Sequence, residues 1–179
     1  MQFTETRVAG VYVIDADIFP DARGQFVRAW VADEFRERGL ETGISQGGVA
    51  TNTRRGTIRG MHFQTAPHDG AKTVRVTRGA IFDVAVDLRP DSPTFRRWVG
   101  VELTDRDYRS LYIPAGCAHG YQTLVDDVEM FYFIGVPYAP THQGGVRWDD
   151  PAFRIEWPLG PPTLINDRDR SYPDFTPGG

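Results

Sequence analysis

Cysteine is nearly missing from this chain: Cys117 stands alone among 179 residues. One thiol excludes an internal disulfide framework and fits a reducing compartment, so the fold has to rest on packing. Histidine is almost as scarce, with four residues, which narrows where imidazole chemistry can sit. No apolar run reaches membrane length, and the start Met1-Gln2-Phe3-Thr4-Glu5 has no signal-peptide character. There is no basic arm either. With a formal net charge of −4, Arg54-Arg55 and Arg96-Arg97 read as solvated surface, and nothing invites nucleic acid. The expectation is a cytoplasmic protein that binds neither membranes nor nucleic acid. Helix is scarce as well: 32–38 is the one convincing short helix, and Gly39 stops it.

What the chain does hold is 40% hydrophobic residues, 19 glycines and 13 prolines, arranged as many short β-branched or aromatic runs between turns. Strands are expected over 8–14, 25–31, 44–53, 57–64, 73–76, 81–88, 98–103, 111–114 and 128–134. The segment 15–23, with Pro20 and the turn Asp21-Ala22-Arg23-Gly24, reads as an interruption. In 81–88 the alternation puts Phe82, Val84, Val86 and Leu88 inward. After Pro137 the chain becomes proline-rich, and Trp148, Phe153 and Trp157 make this tail pack down on the body. No repeat, linker or low-complexity stretch divides it. The reading is one all-β domain over 1–179, an antiparallel sandwich or barrel with a core over about 44–136, whose mouth suits a small ligand.

Arg59-Gly60-Met61-His62-Phe63-Gln64 concentrates a cation, a glycine and an imidazole. Strict alternation sends Arg59 and Met61 to one face and Gly60, His62 and Gln64 to the other. His62 and His119 both lie in strand-like settings beside glycine, where a core histidine with one backbone bond is the plain reading. His68 and His142 read as surface residues. Pro114-x-Gly116-x-x-His119 has the spacing of a metal-binding turn. The earlier strand offers only His62 and Gln64 to complete such a site, and Gln is a poor ligand beside imidazole. Cys117 could act as a nucleophile near His119, although nothing cationic in sequence is set to activate it. Arg23, Arg59 and Lys72 at apparent strand ends could cradle a diphosphate, since guanidinium forks match its oxygens. Lys72 and Tyr132 otherwise read as a strand end and an aromatic core stripe, and Asp169 as part of a solvated charged loop. The residues alone define a small-ligand site in a β-barrel, with acid–base chemistry open.

The ordered set of motifs is more specific than any member. Asp21-x-Arg23-Gly24-x-Phe26, the run from Arg59 to Gln64, Lys72, and Asp83-Val84-Ala85-Val86-Asp87-Leu88-Arg89 with Ser92-Pro93-Thr94 come first. Pro114-x-Gly116-x-Ala118-His119-Gly120, Tyr132, Tyr138, Asp149-Asp150-Pro151, Trp157-Pro158 and Asp169 follow. In this order they resemble the deoxysugar-nucleotide 3,5-epimerase family along nearly the whole chain. The resemblance implies a cupin-type jelly roll without metal or cofactor, and a homodimer whose N-terminal strands over 1–43 cross to the partner. It implies a nucleotide-diphospho-4-keto-6-deoxysugar as substrate. It makes His62 the base, Asp169 its dyad partner, Tyr132 the acid on the opposite sugar face, and Lys72 the group on the C4 oxygen. Arg59 and His119 would hold diphosphate and sugar, with Arg23, Phe26, Arg28, Gly47, Val49 and Tyr138 as further substrate-binding positions. A metal-dependent cupin and a non-catalytic sugar-nucleotide-binding module are the alternatives.

The chain also departs from the family. Gly47 and Val49 stand where members usually carry a Gln and an Asn that contact the thymine, and Gln46 is one residue out of phase. Arg28 replaces a usual Glu, while Thr51 and Thr53 stand in for serines. The expectation is retained proton chemistry with altered base recognition, extending to a nucleotide other than dTDP.

Overall fold

The computed structural model describes residues 1–176; positions 177–179, the end of the expected tail, lie outside the described residues. The chain runs β1 (Gln2–Glu5), β2 (Tyr12–Asp15), β3 (Asp17–Asp21), β4 (Gly24–Arg28), α1 (Ala32–Arg36), β5 (Gln46–Asn52) and β6 (Ile58–Gln64). It continues through β7 (Lys72–Arg78), β8 (Ala80–Asp87), β9 (Trp98–Thr104), β10 (Ser110–Ile113), β11 (Cys117–Thr123), β12 (Val128–Ile134), β13 (Gln143–Gly145) and α2 (Asp167–Arg170). One sheet has the order β1-β2-β10-β7-β12-β5 and a second the order β13-β6-β11-β8-β9, while β3 pairs only with β4. The ladders are antiparallel. Two facing sheets with non-sequential neighbours make the expected cupin-type jelly roll.

Between the sheets, Val74, Val76, Leu111 and Met130 meet Ile81, Ala85, Leu103 and Tyr121. The far side of the second sheet is buried too: Ile58, Met61, Val84 and Val86 lie under Val146, Phe153, Trp157 and Ile165 of the tail. This corrects one expectation. Val84 and Val86, with Phe82 and Leu88 packed beside them, face the tail, and Ile81 and Ala85 face the barrel. Alternation gave the phase of β8 but could not say which buried side was the interior.

Other differences have local causes. The segment 15–23 contains β3, which makes a hairpin with β4; Pro20 is tolerated because this hairpin joins neither sheet. The strand expected over 25–31 ends at Arg28, and the helix expected over 32–38 ends at Arg36. His119 reads as strand-like, but the full extent of β11 is not legible because Cys117-Ala118-His119-Gly120-Tyr121-Gln122-Thr123 has no alternation: all seven residues are buried.

Asp87 at the end of β8 is fully buried. It accepts hydrogen bonds from Arg89 Nε (2.8 Å), Thr94 Oγ1 (2.6 Å) and Ser92 Oγ. Burial alone would push its carboxyl up, but these bonds hold it down at about 2. A carboxylate whose folded pKa lies below its unfolded value of 3.8 contributes stability above that value and loses it as pH falls toward 2. The shift corresponds to about 2 kcal/mol. Urea melts from pH 5 to pH 2 should show wild type losing that much more stability than Asp87→Asn; parallel curves would refute the assignment.

The decisive irregularity is in β6. His62 pairs with His119 and Arg59 with Tyr121, so three steps along β6 match two along β11. The extra residue is a β-bulge at Gly60, which corrects the strict alternation and lets Arg59 and His62 both line one cavity. Gly60 has φ +127°, and a Cβ there would lie 2.5 Å from Gly120 Cα, so only glycine fits. Met61 still turns the other way, into the layer beneath the tail.

Candidate active site

Between the sheets lies a cavity of about 240 Å³ whose lining includes Arg59, His62, Lys72, His119, Tyr132 and Tyr138. Its two walls come from different sheets. His62 on β6 and His119 on β11 belong to one, and Lys72 on β7 and Tyr132 on β12 to the other.

His62 Nε2 lies 2.7 Å from Asp169 Oδ1, and Asp169 Oδ2 accepts from the Gly60 N–H at 2.9 Å. The bulge thus frees a backbone donor that the carboxylate takes up. Asp169 is 1% exposed, which corrects the solvated-loop reading. Its place is set by α2, capped where Asn166 Oδ1 accepts from the Asp169 N–H at 2.7 Å. Burial pushes the Asp169 carboxyl up, but the bonds from His62 and Gly60 outweigh it and leave it below the ordinary range. An ionised Asp169 can only accept, so Nε2 carries the proton and the lone pair of His62 sits on Nδ1.

Facing this pair across the cavity, Lys72 is desolvated, which lowers its ammonium to about 8 against the opposing pull of Asp83. Asp83 is fully buried, and its Oδ1 lies 2.7 Å from His119 Nε2 while Oδ2 has no hydrogen-bond partner. Asp83 received no role from sequence. Its signal was a carboxylate inside the apolar run Ile81-Phe82-Asp83-Val84-Ala85. The ring of Tyr132 lies over Gly48, where a Cβ would come within 2.6 Å of its hydroxyl. Arg59 is held at the edge by Asn52 Oδ1 (2.8 Å) and the Thr51 carbonyl (3.2 Å), and Asn52 Nδ2 also reaches Tyr121 Oη at 3.1 Å. Neither Asn52 nor Tyr121 carried a sequence signal.

At the rim, Tyr138 Oη donates to Gln143 Oε1 at 2.6 Å. Gln64 is occupied with backbone: its amide donates to the His68 carbonyl at 2.7 Å and accepts from the Ala139 N–H at 2.7 Å. The His62/Gln64 pair of the metal alternative is therefore not poised as a donor set, and among the described residues no three His, Cys, Asp or Glu side chains form a metal-binding group. Burial pushes the Cys117 thiol up to about 12, the opposite of nucleophile activation. The rings of His68 and His142 meet tilted at 51°, with centroids 4.3 Å apart.

The remaining expected positions lie outside the cavity. Arg23, Phe26 and Arg28 are on the β3–β4 hairpin, with Phe26 64% exposed and Arg28 paired to Asp17. Gly47 and Val49 sit on β5, at the edge of its sheet; Gly47 faces Phe131 and Val49 is 60% exposed.

An imidazole oriented by a carboxylate on one wall, with a phenol and a desolvated cation on the facing wall, fits a class: isomerases that move protons beside a carbonyl. Comparison with known proteins narrows it. The family model for dTDP-4-dehydrorhamnose 3,5-epimerase matches residues 5–176. A dTDP-4-dehydrorhamnose 3,5-epimerase of Sinorhizobium fredii is 40% identical over 98% of this chain and 90% of its own length. The crystal structure of dTDP-4-dehydrorhamnose 3,5-epimerase from Bacillus anthracis, with TDP and PPi bound, is 36% identical. It superposes with a TM-score of 0.92 over 97% of this chain and 99% of that one. A 4-keto-6-deoxy sugar epimerase from the novobiocin cluster of Streptomyces spheroides is 35% identical with a TM-score of 0.90, over 96% of this chain and 86% of that one. The chain belongs to the dTDP-4-dehydrorhamnose 3,5-epimerase family and is an isomerase, a carbohydrate epimerase.

Proposed function

We propose that this epimerase inverts C3, C5 or both of a nucleotide-diphospho-4-keto-6-deoxysugar through an enolate. The observation that carries the reading is the placing of the His62–Asp169 pair and Tyr132 on facing walls of one cavity, with Lys72 beside it. His62 Nδ1 takes the proton from carbon, and the electron pair moves onto the C4 oxygen, where the Lys72 ammonium meets the developing charge. The Tyr132 hydroxyl then delivers a proton to the opposite face of that carbon, which inverts it. Arg59 and His119 hold the diphosphate end and the sugar. None of these steps calls on a metal or cofactor. Enzyme and substrate in D2O should place deuterium at the inverted carbon; turnover without incorporation would exclude the enolate route.

The enzyme works as a cytoplasmic homodimer in which the β3–β4 hairpin of one protomer reaches the partner. The support is twofold: a hairpin that joins neither sheet and exposes Ile18, Phe19 and Phe26, and an open β5 edge with exposed Val49. Among the described residues no helix is long and apolar enough to cross a membrane. The hairpin would bring Arg23, Phe26 and Arg28 to Gly47 and Val49, building a base pocket without the usual amide side chains. We extend the proposal to a base other than thymine. Calorimetric titration with dTDP, CDP, GDP and UDP should rank dTDP below another nucleotide. Phe26→Asp should halve the mass in sedimentation and weaken every nucleotide. Clear preference for dTDP, or a wild-type monomer, would sink the corresponding part.

A further inference from the structure

The polar contacts of the His62 ring, Asp169 Oδ1 at 2.7 Å and Arg168 Nη2 at 3.4 Å, both fall on Nε2, which leaves the imidazole free to rock about that one atom, and a lone pair that wanders is a poor base. Something else must hold the plane of the ring. Tyr172 stands three residues beyond Asp169, just past the Ser171 C-cap of α2, so the segment that delivers the carboxylate also delivers this phenol. The two rings meet edge to face, with centroids 6.4 Å apart and planes at 73°.

A second observation comes from the opposite side. Gly145 on β13 is the cross-strand partner of His62 on β6. A Cβ at Gly145 would collide with the Tyr172 ring at Cζ, Cε2 and Cε1. Gly145 is not among the glycines with positive φ, so its backbone does not require glycine; the space does. The ring of Tyr172 is therefore seated on bare backbone directly opposite His62. Burial foremost, with Arg168 opposing and Asp169 and Tyr138 in support, keeps the Tyr172 hydroxyl above its ordinary range, so the phenol beside His62 stays neutral.

We infer that Tyr172 is a positioning residue for His62, its ring seated on Gly145 so that the imidazole plane stays fixed and Nδ1 stays aimed at the reacting carbon. This rests on His62 being the base. It adds a residue that does not touch the substrate and explains why Gly145 has no side chain.

The test is a double-mutant cycle read in kcat, KM and solvent deuterium incorporation, with melting temperatures to confirm folding. Tyr172→Ala should lower kcat and deuterium uptake on the order of 10-fold while KM stays within about two-fold, since sub-ångström misplacement acts on the chemical step. Tyr172→Phe, which keeps the ring, should recover most of the rate. Gly145→Ala should also lower kcat, because its methyl displaces the ring. In the Tyr172→Ala background the same methyl has room, so Gly145→Ala should cost nothing further. Should Tyr172→Ala fail to fold, Tyr172→Leu restores apolar bulk without the aromatic edge and should show the same kcat loss. An unchanged kcat in Tyr172→Ala, a loss confined to KM, or effects of the two substitutions that multiply would each overturn the proposal. Deuterium uptake that survives His62→Ala would instead overturn the assignment of the base, whatever Tyr172 does.

Discussion

His62→Ala should abolish the uptake of solvent deuterium at the substrate carbons. A positioned general base is worth on the order of 10²–10⁴-fold. His119, the cross-strand partner of His62, has a buried carboxylate of its own, with Nε2 2.7 Å from Asp83, so His119→Ala is the control and should retain uptake while binding weakens. Cys117 is held as a thiol by burial, at about 12. Tyr132→Phe provides the contrast. With the base intact and the facing acid removed, His62 can still remove a proton and return a deuteron to the same face. Exchange should therefore persist while inversion stops. NMR of the recovered sugar nucleotide separates the two: loss of exchange in Tyr132→Phe, or persistence in His62→Ala, would exchange the roles assigned to the two walls.

Activity should fall as pH rises through about 8, because Lys72 loses its proton there rather than near the 10.5 of an ordinary lysine. The cause is desolvation, partly offset by Asp83. Once neutral, Lys72 no longer meets the charge on the enolate oxygen. Lys72→Met should lose on the order of 10²–10³-fold in kcat, the typical cost of removing a group aimed at developing negative charge. The alkaline fall in rate should vanish with it. The sign for stability is opposite. Between pH 8 and 10.5 the unfolded chain keeps the proton that folded Lys72 has released, so the cost of burying an ammonium is relieved as pH rises. Rate and this part of stability should therefore diverge above pH 8. A rate that stays flat to pH 10, measured as kcat beside urea melts, would remove Lys72 from the oxyanion role.

Much of this molecule was open to reading from sequence, and particular residues show where that stopped. The short β-branched runs and the near absence of helix gave an antiparallel β domain, because strand alternation is written into neighbouring residues. The run from Arg59 to Gln64 singled out His62 because a glycine, a cation and an imidazole stand within four positions, while its role as base came from the family resemblance. Alternation failed where burial was two-sided. β8 and β11 are covered by the barrel on one face and the tail on the other, so polarity no longer marked the exterior. Asp169 looked solvated because its neighbours in sequence are charged, although its neighbours in space are His62 and Gly60.

The sequence by itself determined the fold class, the place of His62, and a chain without a disulfide framework. Only the tertiary structure decided how the site is assembled. The extra residue at Gly60 turns Arg59 and His62 toward one cavity and frees the N–H that Asp169 accepts across 109 positions of chain. It also set Asp83 behind His119 and Tyr172 on Gly145. The physical reason is the range of the forces involved. Propensity and alternation act between adjacent residues and leave a local trace, whereas desolvation and hydrogen bonding depend on which distant segments the closed barrel brings together.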